Sequence, residues 1–394
     1  MNWIKQETKE LEQELLQVRR ALHTIPEIGD ELPLTKKFVC DYLDSIGVSY
    51  RFVAECDGIV ATIKGDTLGK TIAFRADMDG LHIVEETDIP FRSEIPGQMH
   101  GCGHDAHTAM LLLTAKLLTA HRHDLQGEVR LFFQTGEECA AGALKMIADG
   151  ALEGVDAIFA IHVGNLAGNT LSAGDVLIPA GPASAGKSKF VITVKGKGTH
   201  SAFPEKGIDP ILIAARIVNG CEELAARELP AGAAAVLSFG SLQAGEDHNT
   251  IPETAVIKGS IRCQDDALKA YLETRLCEIS AGIASAYRGE CHVEIIPGSN
   301  TIMNHEETAR LAAEAVSAVV GREKVFTRPP CALMAADDFV NYSRLVPGVY
   351  FLLHTNNAEK GITESNHSPR FDIDESVLWE GVAAYVAIAE KCLG

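Results

Sequence analysis

The chain has 394 residues, of which 46% are hydrophobic and 23% are charged. These fractions are ordinary for a folded globular protein and exclude the disordered and fibrous classes. At roughly 150 residues per domain, the length suggests two or three domains. The formal net charge of −19 disfavours binding to nucleic acid or to anionic membrane surfaces, because like charges repel. We therefore expect neither kind of partner.

The segment 1–20 is charged throughout and has no apolar stretch typical of a secretory signal. No run in the sequence approaches the roughly 18 consecutive apolar residues that a membrane span requires. Ten cysteines in a chain without a signal are typical of reduced thiols rather than of a disulfide framework. We therefore expect a cytoplasmic protein.

The first half of the chain alternates between predicted helices and strands. Apolar residues at helical spacing predict a helix over 9–23, and a nearly continuous apolar run predicts a buried helix over Ala106–Ala120. Short strands are predicted at Ile59–Lys64, Thr71–Asp77, Val129–Thr135 and Ala157–Ile161. This alternation is typical of an α/β sheet that is covered by helices on both faces.

A different pattern begins after the Pro/Gly/Ala-rich segment 179–186. The order of elements there is β-α-β-β-α-β, which is typical of a ferredoxin-like α+β module. Its predicted elements include Lys189–Lys195, Asp209–Leu224, Ala234–Leu242, Thr254–Arg262 and Leu268–Tyr287. The earlier pattern resumes with a helix at 306–320, a strand at Val349–Leu353 and a final helix near Asp374–Lys391. We therefore predict a main domain made of 1–183 and 300–394, interrupted by an inserted domain at 184–299.

The densest group of reactive side chains lies in the segment His100–His107, just before the predicted buried helix. Cys102 and His104 stand two residues apart, and the flanking glycines allow a sharp turn, so the two side chains can converge. A thiolate and an imidazole directed at one point suit zinc or a similar divalent ion. The alternative is an inert buried cysteine, with Asp105 capping the helix.

Other polar side chains follow predicted strands. Glu137 and Glu138 come directly after one strand, and two adjacent carboxylates are costly to bury unless something offsets their charge. One of them could bind a metal while the other moves a proton; the alternative is a solvated pair in a loop. His162 ends a second strand, and Asp77 and Asp79 end a third. Because ligands bind at the carboxyl edge of α/β sheets, these strand ends predict one common site.

The motifs together resemble those of the M20 family of metallopeptidases and amidohydrolases. The similarity runs in order along nearly the whole chain, and it is greatest to the branch of N-acyl-amino-acid amidohydrolases, which includes hippurate, aminobenzoyl-glutamate and auxin-conjugate hydrolases. The motifs that carry it are Arg75–Ile83, His100–His107, Gly136-Glu137-Glu138, His162, Gly198–Pro204, Asn249–Pro252 and His367–Glu375. The resemblance implies a mixed-sheet, zinc-peptidase-like catalytic domain with an inserted ferredoxin-like lid and dimerisation domain.

The resemblance also implies roles for individual residues. Two divalent metal ions, Zn, Mn, Co or Ni, are expected on the ligands Cys102, His104, Glu138, His162 and His367. Glu137 matches the general base, and Asp79 matches the carboxylate that orients a metal-binding imidazole. In the inserted domain, His200 matches a histidine that binds the reaction oxyanion, often in the partner subunit's site, and Asn249 and Arg262 match substrate contacts. A homodimer is therefore expected.

The function implied is hydrolysis of the amide bond of N-acyl amino acids. A dipeptidase or aminopeptidase of the same fold is the first alternative, in which Asp337 or Asp338 would hold the free amine of the substrate. A metal-binding scaffold without catalysis is a more remote alternative, which the presence of Glu137 beside all five ligands disfavours. The sequence differs from the family pattern at His82 and at 335–339. None of these positions is a predicted metal ligand, and we expect the differences to affect which substrate is preferred.

Overall fold

The computed structural model describes residues 2–168 and 170–394. They form two compact units. The first consists of Met1–Ala183, Ile302–Leu333 and Asp337–Gly394, and the second consists of Ser184–Thr301 and Met334–Ala336. The chain therefore builds the first unit from segments on both sides of the second.

The strands are β1 (Ser49–Phe52), β2 (Ile59–Lys64), β3 (Thr67–Asp77), β4 (Gln126–Gln134), β5 (Ala157–Gly164), β6 (Val176–Leu177), β7 (Gly181–Pro182), β8 (Gly186–Lys195), β9 (Thr199–His200), β10 (Ala235–Ala244), β11 (Thr250–Ile251), β12 (Thr254–Cys263), β13 (Glu290–Pro297), β14 (Met303–Asn304), β15 (Val325–Phe326) and β16 (Gly348–His354). The helices are α1 (Asn2–Glu10), α2 (Glu12–His23), α3 (Pro33–Ser45), α4 (His104–Ala120), α5 (Gly142–Ala148), α6 (Pro210–Arg227), α7 (Asp266–Ala286), α8 (Glu306–Val320), α9 (Val340–Ser343) and α10 (Leu378–Leu393). Within the described residues, no helix is both long and apolar enough to span a membrane.

The first unit is built on an eight-stranded mixed sheet with the order β1-β2-β4-β3-β5-β16-β6-β15. At its centre, β3 runs parallel to β4 and to β5, with Asp77 opposite Gln134 and Arg75 opposite Ala160. The carboxyl ends of these three strands therefore lie at one edge of the sheet. The side chains that follow the strands are brought to that same edge.

Helices cover the central sheet. On one face, sheet residues such as Phe74 and Leu131 pack with α4, α8 and α10 in one hydrophobic core. On the other face, Phe132 and Ile158 belong to a second core that includes Phe339, at the start of α9. Both faces of the central strands are therefore buried, which explains why these strands are almost uniformly apolar. The predicted α/β class with a mixed sheet is confirmed.

The second unit contains a four-stranded antiparallel sheet with the order β10-β12-β8-β13. Helices α6 and α7 pack against it around their own hydrophobic core. Asp209 and Asp265 cap these helices, because their side chains accept hydrogen bonds from backbone N–H groups of the first turn. The order of elements and strands is that of the predicted ferredoxin-like module, which is confirmed.

Two details of the helices differ from the sequence prediction. The predicted helix at 9–23 is two helices, α1 and α2, which meet at Leu11. Helix α3 was not predicted; it begins at Pro33, a favoured first residue of a helix, and buries Val39 and Leu43 one turn apart.

Candidate metal centre

The five predicted metal ligands meet at the carboxyl edge of the central sheet in the first unit. His104 is the first residue of α4, and Cys102 lies in the turn before it. His162 is in β5, Glu138 follows β4, and His367 lies in the loop that leads to α10. His104, His162 and Cys102 are buried, whereas His367 is exposed.

Two backbone positions in the left-handed region hold these side chains in place. Gly103 has a φ of 86°, and a Cβ atom there would lie 2.4 Å from Cγ2 of Val163. Only glycine fits this turn, which leaves Cys102 and His104 on one side. His367 has a φ of 70°, which is rare for a residue with a side chain, and its N–H donates to the carbonyl of Gly101 at 2.7 Å. Backbone strain of this kind is concentrated at functional sites.

The candidate ligand atoms form two overlapping groups. Atoms of Cys102, His104 and His162 lie within 4.8 Å of one another, and so do atoms of Cys102, Glu138 and His367. The sulfur of Cys102 is 3.5 Å from Nε2 of His162, and Nε2 of His367 is 3.2 Å from Oε1 of Glu138. Cys102 belongs to both groups, so the arrangement has room for two neighbouring ions.

Unsatisfied polar atoms show that these residues fit a metal. Among the described residues, the buried Nε2 of His104 has no hydrogen-bond partner, and the buried Oε1 of Glu138 has only its ion-pair contact with His367. Such atoms cost free energy unless something binds them. The other ring nitrogen of His104 is bonded to Asp79 at 3.2 Å, which leaves Nε2 as the nitrogen directed at the site. A divalent cation with nitrogen, oxygen and sulfur ligands suits these donors.

Asp79 contacts two of the candidate ligands. Its Oδ1 is the partner of His104, and its Oδ2 accepts a hydrogen bond from the backbone N–H of Glu138 at 3.1 Å. His107 lies nearby but has both ring nitrogens occupied, one by Asp77 and the other by the backbone N–H of Val163. Burial lowers the pKa of His107 to about 4, so it is a neutral structural residue.

The protonation of Cys102 is set by the histidines around it. Burial acts to raise the pKa of its thiol, but His162, His104 and His367 outweigh burial and lower that pKa to about 6. In turn, Cys102 and then Glu138 raise the pKa of His367 to about 10. Without metal, near neutral pH, Cys102 is therefore a thiolate beside the protonated imidazole of His367, and the thiolate is the form of the sulfur that binds metal.

Glu137 lies beside the candidate ligands and is largely buried. Its Oε1 accepts a hydrogen bond from the backbone N–H of Asp338 at 3.4 Å. Burial and the nearby carboxylates of Asp337, Asp338 and Glu138 raise the pKa of Glu137 well above its usual range. A raised carboxyl pKa is typical of groups that take up and release protons in catalysis.

A buried ion-pair network around Arg75 was not predicted from the sequence. The guanidinium is 2.8 Å from Oδ1 of Asp338 and 3.2 Å from Oδ1 of Asp337, and it also binds Asp77. Gln134 donates to both carboxylate oxygens of Asp338 at 2.9 Å. Both acidic side chains are therefore already engaged by the protein, and the suggestion that one of them anchors a free substrate amine is not supported.

The remaining predicted site residues belong to the second unit. Strand β9 pairs with β11 so that His200 lies opposite Thr250, and the carbonyl of Asn249 accepts a hydrogen bond from the N–H of Ser201. His200 and Asn249 are thus neighbours, and both are exposed. Arg262 lies in β12, where it donates to the carbonyl of Met334 at 2.7 Å. Their roles in binding substrate stay predictions.

The lowered pKa of Cys102 predicts an unusual order of thiol reactivity in metal-free protein. The thiolate is the nucleophile, so the rate of Cys102 alkylation by iodoacetamide, which burial of the sulfur keeps low, should rise with pH through a midpoint near 6. Cys139 is exposed but has its pKa raised above the usual 9 by burial and nearby carboxylates, so it should require more alkaline solution. Peptide mapping by mass spectrometry across a pH series measures both rates. Coinciding profiles for Cys102 and Cys139 would contradict the described electrostatics.

Comparison with known proteins agrees with this geometry. Residues 73–391 match the peptidase family M20/M25/M40. The thermostable carboxypeptidase 1 of Saccharolobus solfataricus is 35% identical over 98% of each chain, and the N-acetyl-L-cysteine deacetylase of Bacillus subtilis is 33% identical over 93% of this chain and 85% of its own. A solved Bacillus subtilis structure described as a dinuclear metal binding peptidase from the M20 family superposes with a TM-score of 0.83, at 32% identity over 97% of this chain and 98% of its own. The resemblance seen in the motifs is confirmed, and the chain belongs to peptidase family M20/M25/M40.

Proposed function

We propose that this protein is a metal-dependent amidohydrolase that cleaves the amide bond of N-acyl amino acids. The observation that carries the proposal is the pair of ligand groups that share Cys102, with Glu137 beside them. The proposed ligands of the two ions are Cys102, His104, Glu138, His162 and His367. This mixed set of sulfur, nitrogen and oxygen atoms suits Zn, and it also accommodates Mn, Co or Ni.

Held by these five residues, divalent ions would lower the pKa of water and would polarise the carbonyl that is attacked. Glu137 is the proposed general base: it accepts the proton of the attacking water and delivers it to the leaving nitrogen. The hydrogen bond from the N–H of Asp338 holds one oxygen of Glu137, which limits the positions that the carboxylate can take. Asp79 orients His104 through the ring nitrogen on the far side from the site.

The second unit supplies the proposed substrate contacts. We propose that His200 binds the oxyanion formed in the reaction and that Asn249 and Arg262 bind the substrate. The free carboxylate of the substrate needs a cationic or amide partner, which these two residues supply. The exposure of His200 and Asn249 supports these roles, since both side chains are accessible. A homodimer in the cytoplasm is the proposed context, in which His200 serves the site of its own chain or that of a second copy.

The names of the relatives support the substrate class. One relative is named a deacetylase of N-acetyl-L-cysteine, which is an N-acyl amino acid. Another is named a carboxypeptidase, and its similarity favours a second candidate function, the removal of a C-terminal residue from a peptide. Both reactions break an amide bond to an amino acid whose carboxylate is free. Hydrolysis of free dipeptides has less support, because Asp337 and Asp338 are held by Arg75.

Replacing Glu137 tests the proposed base. Glu137→Gln keeps the shape of the side chain but cannot accept the proton, so we expect kcat to fall by about 100- to 10,000-fold while bound metal is unchanged. The measurements are steady-state hydrolysis of an N-acetyl amino acid and metal content by plasma spectrometry.

The exposed residue Glu55 offers a matched control, since Glu55→Gln makes the same chemical change at a residue that is neither a candidate ligand nor the proposed base. It should leave both the rate and the metal content as in the wild type. A Glu137→Gln enzyme with nearly normal kcat and full metal content would show that another group is the base.

A substrate panel separates the two candidate functions. Metal-stripped protein is loaded again with Zn, Mn, Co or Ni and given N-acetyl amino acids, N-blocked dipeptides and free dipeptides that end in the same residue. We expect kcat/KM to be highest for the N-acetyl amino acids and lowest for the free dipeptides. Preference for the N-blocked dipeptides would favour the carboxypeptidase function, and preference for the free dipeptides would contradict both.

A further inference from the structure

Asn366, the residue before His367, lies against Cys102. Its side-chain Nδ2 is 3.8 Å from the sulfur of Cys102, within the range of an N–H···S hydrogen bond. The same nitrogen donates to the carbonyls of Cys102 at 3.3 Å and Val163 at 3.2 Å. The amide oxygen accepts a hydrogen bond from the backbone N–H of Asn165 at 3.1 Å. Because the amide nitrogen has two hydrogens for these three acceptors, the N–H near the sulfur is shared with a carbonyl. Together the four contacts fix which way the amide group points.

The strand beside Asn366 leaves space for this amide. Gly164 is the last residue of β5 and has a φ of 124°. A Cβ atom at Gly164 would lie 2.2 Å from Oδ1 and 2.5 Å from Nδ2 of Asn366, so a side chain there would displace the amide. Gly164 follows His162 by two residues, and the strand that carries one candidate ligand thus also accommodates Asn366.

The contact places a neutral N–H donor beside the sulfur of Cys102, and a cysteine that binds metal does so as a thiolate. A hydrogen bond to an ionised acceptor is stronger than one between neutral groups, and it withdraws negative charge from the acceptor atom. Unlike an imidazolium, an amide keeps its proton when a cation binds. Asn366 is therefore a donor to Cys102 that survives the binding of metal.

We propose that Asn366 is a positioning residue for Cys102, which aims the sulfur at the two ligand groups and tunes its electron donation to the metal. This inference rests on the proposed function, in which Cys102 is a metal ligand. The opposing view is that Asn366 only joins the loop 364–369 to the carbonyls of Cys102 and Val163. A purely structural role would change stability but not the bond between sulfur and metal.

Loading the protein with cobalt makes the bond between the sulfur of Cys102 and the metal visible by absorption spectroscopy. Wild type, Asn366→Ala and Asn366→Leu are stripped of metal and loaded with Co²⁺, because a thiolate bound to cobalt gives a charge-transfer absorption in the near ultraviolet. Loss of the N–H donor should shift this band to longer wavelength and raise the Kd for cobalt by about 10- to 100-fold. Asn366→Leu retains the side-chain volume and serves if the alanine variant folds poorly. Ser365→Ala changes an exposed side chain one residue away and should behave as the wild type.

The position of the band decides the outcome. A band that is present in the wild type and unchanged in both Asn366 variants would overturn the role of Asn366 while leaving Cys102 as a ligand. A wild-type protein that binds cobalt without any thiolate band would instead overturn the proposed ligand set, and the role of Asn366 with it. A shifted band in both variants, with the Ser365→Ala spectrum unchanged, would support the proposal.

Discussion

Buried negative charge at one edge of the central sheet is the constraint on which the site depends. Asp77, Asp337 and Asp338 are nearly inaccessible to solvent, and Glu137 lies next to them. Each buried carboxylate costs several kcal/mol unless a cation or hydrogen bonds compensate it. Among the described residues, Arg75 compensates the innermost three, whereas Glu138 and Cys102 contact histidines, which can lose their charge. The proposed metal ions supply that missing positive charge.

Part of the site is predictable from the sequence, because several of its polar residues directly follow apolar strands. Parallel strands end at a common edge, so the sequence alone places together polar residues such as Glu138 and His162, each just at the end of an apolar strand. The glycines around Cys102 likewise indicate a sharp turn, which lets the side chains of Cys102 and His104 converge. The fold class followed from the alternation of helices and strands, and the inserted module from its own order of elements.

Other contacts had no local signal. Arg75 and Asp338 are 263 positions apart, and Asn366 and Cys102 are 264 apart. Neither pair lies in a motif that suggests its partner, because the contact arises only when distant loops pack at the sheet edge. The left-handed backbone at His367 was equally hidden, since a histidine there breaks the usual preference for glycine. Local rules fail where distant segments converge on the site.

The central claim is that Cys102 and His367, which are far apart in sequence, bind a pair of cations together. The most direct measurement is anomalous X-ray diffraction from crystals of the protein loaded with Zn, combined with metal analysis. The account predicts two ions per chain, one among Cys102, His104 and His162 and the other among Cys102, Glu138 and His367. A single ion, or ions that bind away from Cys102, would contradict it.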